Sequence, residues 1–274
     1  MKLSPYRALL LLLSLPPTLA TYFSPDTGCD YGVGLVKKVL LALKLIRNNI
    51  RITSGSNFIE HLTMATAILQ VSRRVEGCIV ECGSWKGAST ANLSLIAALC
   101  GRDLEVFDSF EGLPEPSEGD RAHRLLHRGE LHTYYEGGWA GTLEEVTANV
   151  TKYGAIEVCN FNKGYFDATL PEFTRPCVFV FSDGDLRESL ETCLVHLWPL
   201  LVDGSCLYIH EATHMEIASL FFEKEWWQQL GVEPPGLIGA GTGLGLVPRA
   251  GGFGSQLGYT VKTPEALSLR EVRQ

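Results

Sequence analysis

The chain has 274 residues, of which 46% are apolar and 20% charged, and its formal net charge is −8. That apolar content builds a sizeable core in one large α/β domain or two small ones and excludes a chain that stays unfolded. An acidic chain without a long Lys/Arg block also excludes a nucleic-acid substrate, because phosphate backbones need a basic patch.

The N-terminus opens with Lys2 and Arg7 ahead of the apolar run Ala8 to Leu15, and Thr18-Leu19-Ala20 resembles a cleavage site. That outline fits a secretory signal peptide. The run is short for a membrane-spanning helix, and Pro16-Pro17 interrupts it. The other reading is a leading helix packed on the domain or on a dimer partner. We expect a cytoplasmic protein, with secretion or membrane attachment through residues 1–20 as the alternative. Residues 1–25 are taken as this leading segment and residues 26–76 as N-terminal helical additions. Residues 34–50 read as an amphipathic helix with a basic face, and residues 57–74 as a second helix.

From residue 77 strands and helices alternate. Strands are expected at Gly77–Cys82, Leu104–Phe107, Ile156–Phe161, Cys177–Phe181 and Ser205–Ile209, with Tyr259-Thr260-Val261 as a last one. Helices are expected at Ser89–Leu99, Thr142–Tyr153 and Leu186–Leu201, and a polar loop from Glu111 to about Glu136. Such alternation implies a parallel sheet covered on both faces, here residues 77–274. The eight cysteines fall mostly in apolar runs and no paired CxxC motifs occur, so reduced core thiols are expected rather than disulfides or a zinc knuckle. Gly236 to Gly245 has a dinucleotide-like glycine spacing but lacks the strand and helix that such a fingerprint needs.

The first strand ends in Glu81-Cys82-Gly83-Ser84-Trp85-Lys86-Gly87. A carboxylate at a strand end, then glycines turning into a helix, makes a ligand cradle, and the helix N-terminus attracts a carboxylate. Asp108 ends the next strand, where an acid can accept both hydroxyls of a ribose. The ExGxxxG turn is wider than a dinucleotide turn and fits a nucleoside with an amino-acid tail, S-adenosylmethionine. Cofactor-binding candidates are therefore Glu81, Gly83, Gly87, Ser89, Asp108 and Ser109. Asp183, His210 and Glu211 fall at the ends of later strands and can converge on one cation. A divalent metal there would lower the pKa of an acceptor hydroxyl; without metal, His210 or Asp183 could act as general base. His210-Glu211-Ala212-Thr213-His214 is also a literal HExxH, so a zinc hydrolase is a second reading if both histidines share one helix. A third is a methyltransferase fold kept for binding alone. His123, His127 and His132 lie in the polar loop, where one could reach acceptor or metal; Trp226-Trp227 could serve the core or the acceptor side.

Longer segments resemble the macrocin O-methyltransferase (TylF-type) family. They are Ile79 to Gly87, Phe107 to Pro114, Gly164 to Pro171, Asp183 to Ser189 and Leu197-Trp198-Pro199, in the family's order over roughly residues 77–222. The resemblance implies a Rossmann-like class I methyltransferase fold with a mainly parallel seven-stranded sheet. It implies methyl transfer from S-adenosylmethionine to a hydroxyl of a small molecule such as a sugar or natural product, with magnesium. Glu81, Gly83, Gly87 and Asp108 match its cofactor positions, and Asp183 its first metal aspartate. The family's following Asp-Asp pair is His210-Glu211 here, a pair that suits a softer metal such as Mn, Fe or Zn, or no metal. Arg187 stands where a tyrosine is usual. A homo-oligomer and membrane contact of the N-terminus stay open.

Overall fold

The computed structural model describes residues 18–122, 125–127, 130–238 and 255–263. The leading run Ala8 to Leu15, His123 and most of the Gly236–Gly245 stretch lie outside the described residues. After a helical turn at 18–23 come α1 (Leu35–Arg51) and α2 (Phe58–Gln70). The alternating part follows as β1 (Cys78–Cys82), α3 (Ala88–Cys100), β2 (Leu104–Asp108), α4 (Glu118–Ala122), β3 (Leu125–His127), β4 (Glu130–His132), α5 (Leu143–Tyr153), β5 (Cys159–Lys163), α6 (Phe166–Thr169), β6 (Cys177–Ser182), α7 (Arg187–Leu197), β7 (Leu201–Ile209), α8 (Met215–Leu220), α9 (Lys224–Gln228) and β8 (Gly258–Val261).

The main sheet has the order β5-β2-β1-β6-β7-β8, parallel except for the antiparallel pairing of β8 with β7. Against the expected seven strands, six pair in this sheet among the described residues. The segment read as a polar loop holds a short helix and the separate β3–β4 hairpin, which carries His127 and His132. The expected strand at 156–161 begins as a 3-10 turn and pairs only from Cys159, and the strand expected from Ser205 starts at Leu201.

Both sheet faces are covered, which is why β6 reads as a nearly continuous apolar run and β1 as one broken only by Glu81. Along β1, Ile79 faces the cluster that includes Leu41, Leu45, Met64, Ala91 and Val146 from α1, α2, α3 and α5. Cys78, Val80 and Cys82 face the opposite cluster, with Leu190 and Leu194 of α7 and Trp227 of α9. Strand alternation puts Glu81 on the same face as Ile79. Phe179 and Phe181 of β6 and Tyr208 of β7 also belong to that face, so Asp183 and His210 continue it. The α1–α3 side of the sheet is therefore the side on which these acids and the histidine collect.

Every cysteine in the described residues is a free thiol, and Cys78, Cys82, Cys100, Cys177 and Cys193 are buried. Trp227 is fully buried, stacks edge-on against Trp198 at 4.9 Å and donates its indole N–H to the Leu220 carbonyl at 2.8 Å, which makes it a core residue. Arg187 grips both carboxylate oxygens of Glu223 at 3.0 and 2.6 Å and also Glu191 at 2.9 Å, so it ties α7 to the segment joining α8 and α9. No helix among the described residues is long and apolar enough to cross a membrane.

Candidate active site

The strand order reverses between β1 and β6, and in an open α/β sheet the ligand crevice lies outside the strand ends at that point. The backbone ladder runs past the strand ends: Gly83 N–H donates to Phe107 O, Asp183 N–H to Cys82 O and His210 N–H to Ser182 O, at 2.9, 2.8 and 3.1 Å. This brings Asp108, Gly83, Asp183 and His210, far apart in sequence, into one row.

The turn after β1 is wound tightly. Gly83, Trp85 and Gly87 all have positive φ, at 91°, 44° and 79°. A Cβ on Gly83 would stand 2.0 Å from the Asp183 carbonyl oxygen, and one on Gly87 would stand 3.0 Å from Val146 of α5. The glycines thus let protein backbone close on the turn, where the sequence suggested close approach by a ligand. Gly141 packs on the Trp85 carbonyl in the same way, Lys86 pairs with Glu145 at 2.6 Å, and Asn149 donates to the Lys86 carbonyl at 2.9 Å. Helix α5 clamps the turn from outside.

Asp108 acts from inside. Its Oδ2 accepts from Ser84 N, Ser84 Oγ and Trp85 N at 2.6, 2.9 and 3.3 Å, and its Oδ1 from Phe110 N at 2.7 Å. Oδ1 keeps acceptor capacity for one further donor. The Ser109 hydroxyl donates to the Gly112 carbonyl at 2.7 Å and shapes the next loop. Glu81 is fully buried, and neither of its oxygens has a hydrogen-bond partner; Thr90 Oγ1 nearby is in the same position. Burial pushes the Glu81 carboxyl up to about 8, while the Ser89 and Thr90 hydroxyls pull the other way. Ser89, Thr90 and Gly87 stand at the N-terminus of the 13-residue α3, which favours an anionic group.

A cavity of about 310 Å3 opens at this row, within the range of small-molecule sites. Gly83, Asp108, Ser109, Asp183 and Asp185 line its floor, and Trp85, Trp139, Tyr165 and Phe166 its walls. Trp85 and Trp139 meet edge to face at 5.1 Å.

At the β6–β7 end, His210 is ringed by carboxylates. Its Nδ1 lies 3.3 Å from Asp183 Oδ1 and 3.2 Å from Glu211 Oε1, and its Nε2 lies 3.7 Å from Glu60 Oε2. Burial lowers the affinity of His210 for its proton, but the Asp183 charge, the hydrogen bond to Glu211 and the nearby Glu60 carboxylate raise it well above the ordinary range. The Glu211 carboxyl is held well above its ordinary value by burial and by Asp183. Asp185, in the left-handed region at φ 62°, is pushed up to about 7 by burial and the Asp183 charge, with the Tyr134 hydroxyl pulling it down. His61, also buried, is lowered to about 4 by burial and is therefore neutral. It bonds to Ser56 Oγ and Asn49 Oδ1 at 2.7 and 3.0 Å.

Asp183, His210 and Glu211 are a group whose ligand atoms all lie within 4.8 Å of one another. Ligands about 2.1 Å from a first-row cation stand roughly 3 Å apart when at right angles, close to the 3.2 and 3.3 Å separations from His210 Nδ1. Glu60 on the far ring nitrogen matches the carboxylate that commonly orients a metal-bound histidine. One nitrogen and two oxygen donors fit a divalent ion. The HExxH reading does not fit: His210 follows the tip of β7 and His214 is the cap residue of α8, so no one helix carries both.

Glu60 and Asp185 were not singled out in the sequence. Asp185 had a signal, the Asp-Gly-Asp spacing after β6. Glu60 had only a helix-start signature: Asn57 and Glu60 form a capping box at the head of α2, with the Asn57 side chain accepting from Glu60 N and Glu60 accepting from Asn57 N.

The sequence profile described as macrocin-O-methyltransferase (TylF) matches residues 52–230. Among solved structures, the O-methyltransferase NovP aligns at 22% identity and TM-score 0.59, over 94% of this chain and 100% of that one. The calicheamicin methyltransferase CalS11 aligns at 19% identity and TM-score 0.55, over 95% of this chain and 94% of that one. At such identities the two alignments carry the fold alone. No curated protein matches the chain significantly.

Proposed function

The chain belongs to the macrocin-O-methyltransferase (TylF) family and is an S-adenosylmethionine-dependent O-methyltransferase, and from that premise we propose which of its residues do the work. S-adenosylmethionine binds in the cavity at the β1–β6 junction. The observation that carries this is the cavity at the β1–β6 junction, lined by Gly83, Asp108 and Ser109, with the buried Glu81 carboxylate two residues ahead of Gly83 and close to the N-terminus of α3. An ammonium would partner Glu81 and a carboxylate the helix N-terminus. Asp108 Oδ1 faces the ribose, while Oδ2 holds the turn. Trp85, Trp139, Tyr165 and Phe166 supply apolar walls for the base.

The acceptor is a small hydroxylated molecule. In the transfer, the acceptor oxygen forms a bond to the methyl carbon, the carbon–sulfur bond breaks, and S-adenosylhomocysteine leaves. The acceptor's proton must go to a base. Asp185 lines the cavity with a carboxyl near 7, in the range where a general base works best. Asp183 lies beside it and keeps Asp185 from ionising too readily. Without a metal, His210 is a cation among acids and holds Asp183 in place. A divalent ion taking the place of that proton, held by Asp183, neutral His210 and Glu211, would lower the pKa of the acceptor hydroxyl. Glu60 is a positioning residue: it does not line the cavity and meets His210, the Asn57 and Gln256 N–H groups and the Ser255 side chain.

The test is a methyl-release assay over hydroxylated acceptors, run beside S-adenosylmethionine titration calorimetry. Asp185→Asn should lower kcat by about 10²-fold or more and leave S-adenosylmethionine binding within a few-fold. Unchanged turnover would remove Asp185 from the mechanism, and no binding of S-adenosylmethionine to the parent chain would remove the whole reading.

A further inference from the structure

Helix α1 has three faces. Lys38, Leu41, Ala42, Leu45 and Asn48 are buried against the rest of the fold. On the other side Leu35, Val36, Val39, Leu40, Leu43 and Ile50 are 41% to 75% exposed. At 3.6 residues per turn these six fall in one arc of roughly 140°. Half of the large hydrophobic side chains exposed among the described residues are therefore on this one helix. Such an arc is an interaction surface, since scattered exposed apolar residues would not align.

Charge says what covers it. Lys37, Lys44, Arg47 and Arg51 are exposed along one edge of the apolar arc. No Asp or Glu occurs from Tyr31 to Ile59, a stretch carrying five Lys or Arg in a chain of net charge −8. Lys38 is turned inward and spent on the Ser24 carbonyl at 2.6 Å. An apolar face rimmed by cations alone is the pattern of a helix that lies in the plane of an anionic bilayer. A second copy is a poorer occupant: an antiparallel two-fold pairing sets the two basic edges side by side, like charge against like, and a parallel one leaves each basic edge without an acidic partner on the other helix, since α1 carries no Asp or Glu. In sequence, a second apolar run with its own cations, Lys2 and Arg7 ahead of Ala8 to Leu15, precedes α1.

The geometry points to α1 as a membrane-surface anchor that docks this methyltransferase on anionic lipid. The helix packs on α2, which supplies Glu60, so docking holds the catalytic body at a fixed face to the bilayer. The test is cosedimentation of the full chain with phosphatidylcholine vesicles, with and without phosphatidylserine. We expect binding that needs phosphatidylserine, weakens with salt, falls about tenfold or more in Lys44→Glu/Arg51→Glu, and is lost in Leu40→Asp/Leu43→Asp. S-adenosylmethionine affinity, the check on folding, should not change in either variant. Three results would each overturn the proposal: no binding by the parent chain, binding that neither variant alters, or a parent dimer that Leu40→Asp/Leu43→Asp turns into a monomer in sedimentation analysis.

Discussion

Asp108 and His210 stand at opposite ends of one row, and their surroundings differ in kind. The donors around Asp108 come from Ser84, Trp85 and Phe110, within about one strand–helix–strand unit, and they consume most of its acceptor capacity. The groups around His210 come from α2, β6 and the end of β7, spread from Glu60 to Glu211, and they crowd carboxylates on one imidazole. The first arrangement is finished by the chain itself and makes a rigid cradle. The second is an excess of acid that a proton or cation must balance. On the proposed reading, one end fixes the methyl donor and the other end does the chemistry.

The two ends touch at Gly83, so the largest effect should come from separating them there. In Gly83→Ala the new Cβ meets the Asp183 carbonyl at 2.0 Å with φ at 91°. Strain and overpacking together should cost about 3 kcal/mol or more and abolish S-adenosylmethionine binding. Thermal unfolding and calorimetry read both, and a variant as stable as the parent would deny the close approach. Next comes the cradle alone. Asp108→Ala leaves three backbone N–H groups and a hydroxyl without their acceptor, and should weaken S-adenosylmethionine at least tenfold, since hydrogen bonds to a charged group are worth about 1.5–3 kcal/mol.

A smaller effect isolates the other end. Glu60→Gln keeps an acceptor for the α2 cap but removes the charge behind His210. Loss of such a partner lowers metal affinity about 10- to 100-fold, read as metal retained after dialysis, with S-adenosylmethionine affinity unchanged. Equal metal retention in both proteins would make Glu60 a helix cap and nothing more.

The last effect is a pH slope, small over any one pH unit. The folded Glu81 carboxyl titrates near 8 against an ordinary 4.5, so between these values the native state holds a proton that the unfolded chain has lost. Stability from this group is fully present below the ordinary value and falls as pH rises towards 8. Glu81→Gln cannot lose that proton. Its melting temperature relative to the parent, measured without S-adenosylmethionine, should rise steadily across that window. A flat difference would mean that Glu81 is already ionised in the folded protein.

The sequence reading carried furthest where neighbours in space are neighbours in the chain. That Glu81, Gly83, Gly87 and Asp108 gather around one turn was legible because one strand–turn–helix–strand unit contains them all. The second purpose of Gly83 was not legible, because the backbone that closes on it belongs to Asp183, a hundred positions later. Glu60 was legible only as a cap, because nothing in the chain at residue 60 says that His210 will stand behind it.

Apolar runs broken by turns fixed the alternation of strands and helices, and the motif at β1 fixed the donor class. Both follow from periodicity and local backbone geometry, which the sequence carries directly. Only the tertiary structure decided that Asp183, Glu211 and Glu60 share one histidine. Strand order and register set those meetings, and they depend on how distant segments pack. The same holds for α1: its sequence showed an amphipathic helix with a basic face, but only the fold revealed that the core covers one side and leaves a second apolar side to something else.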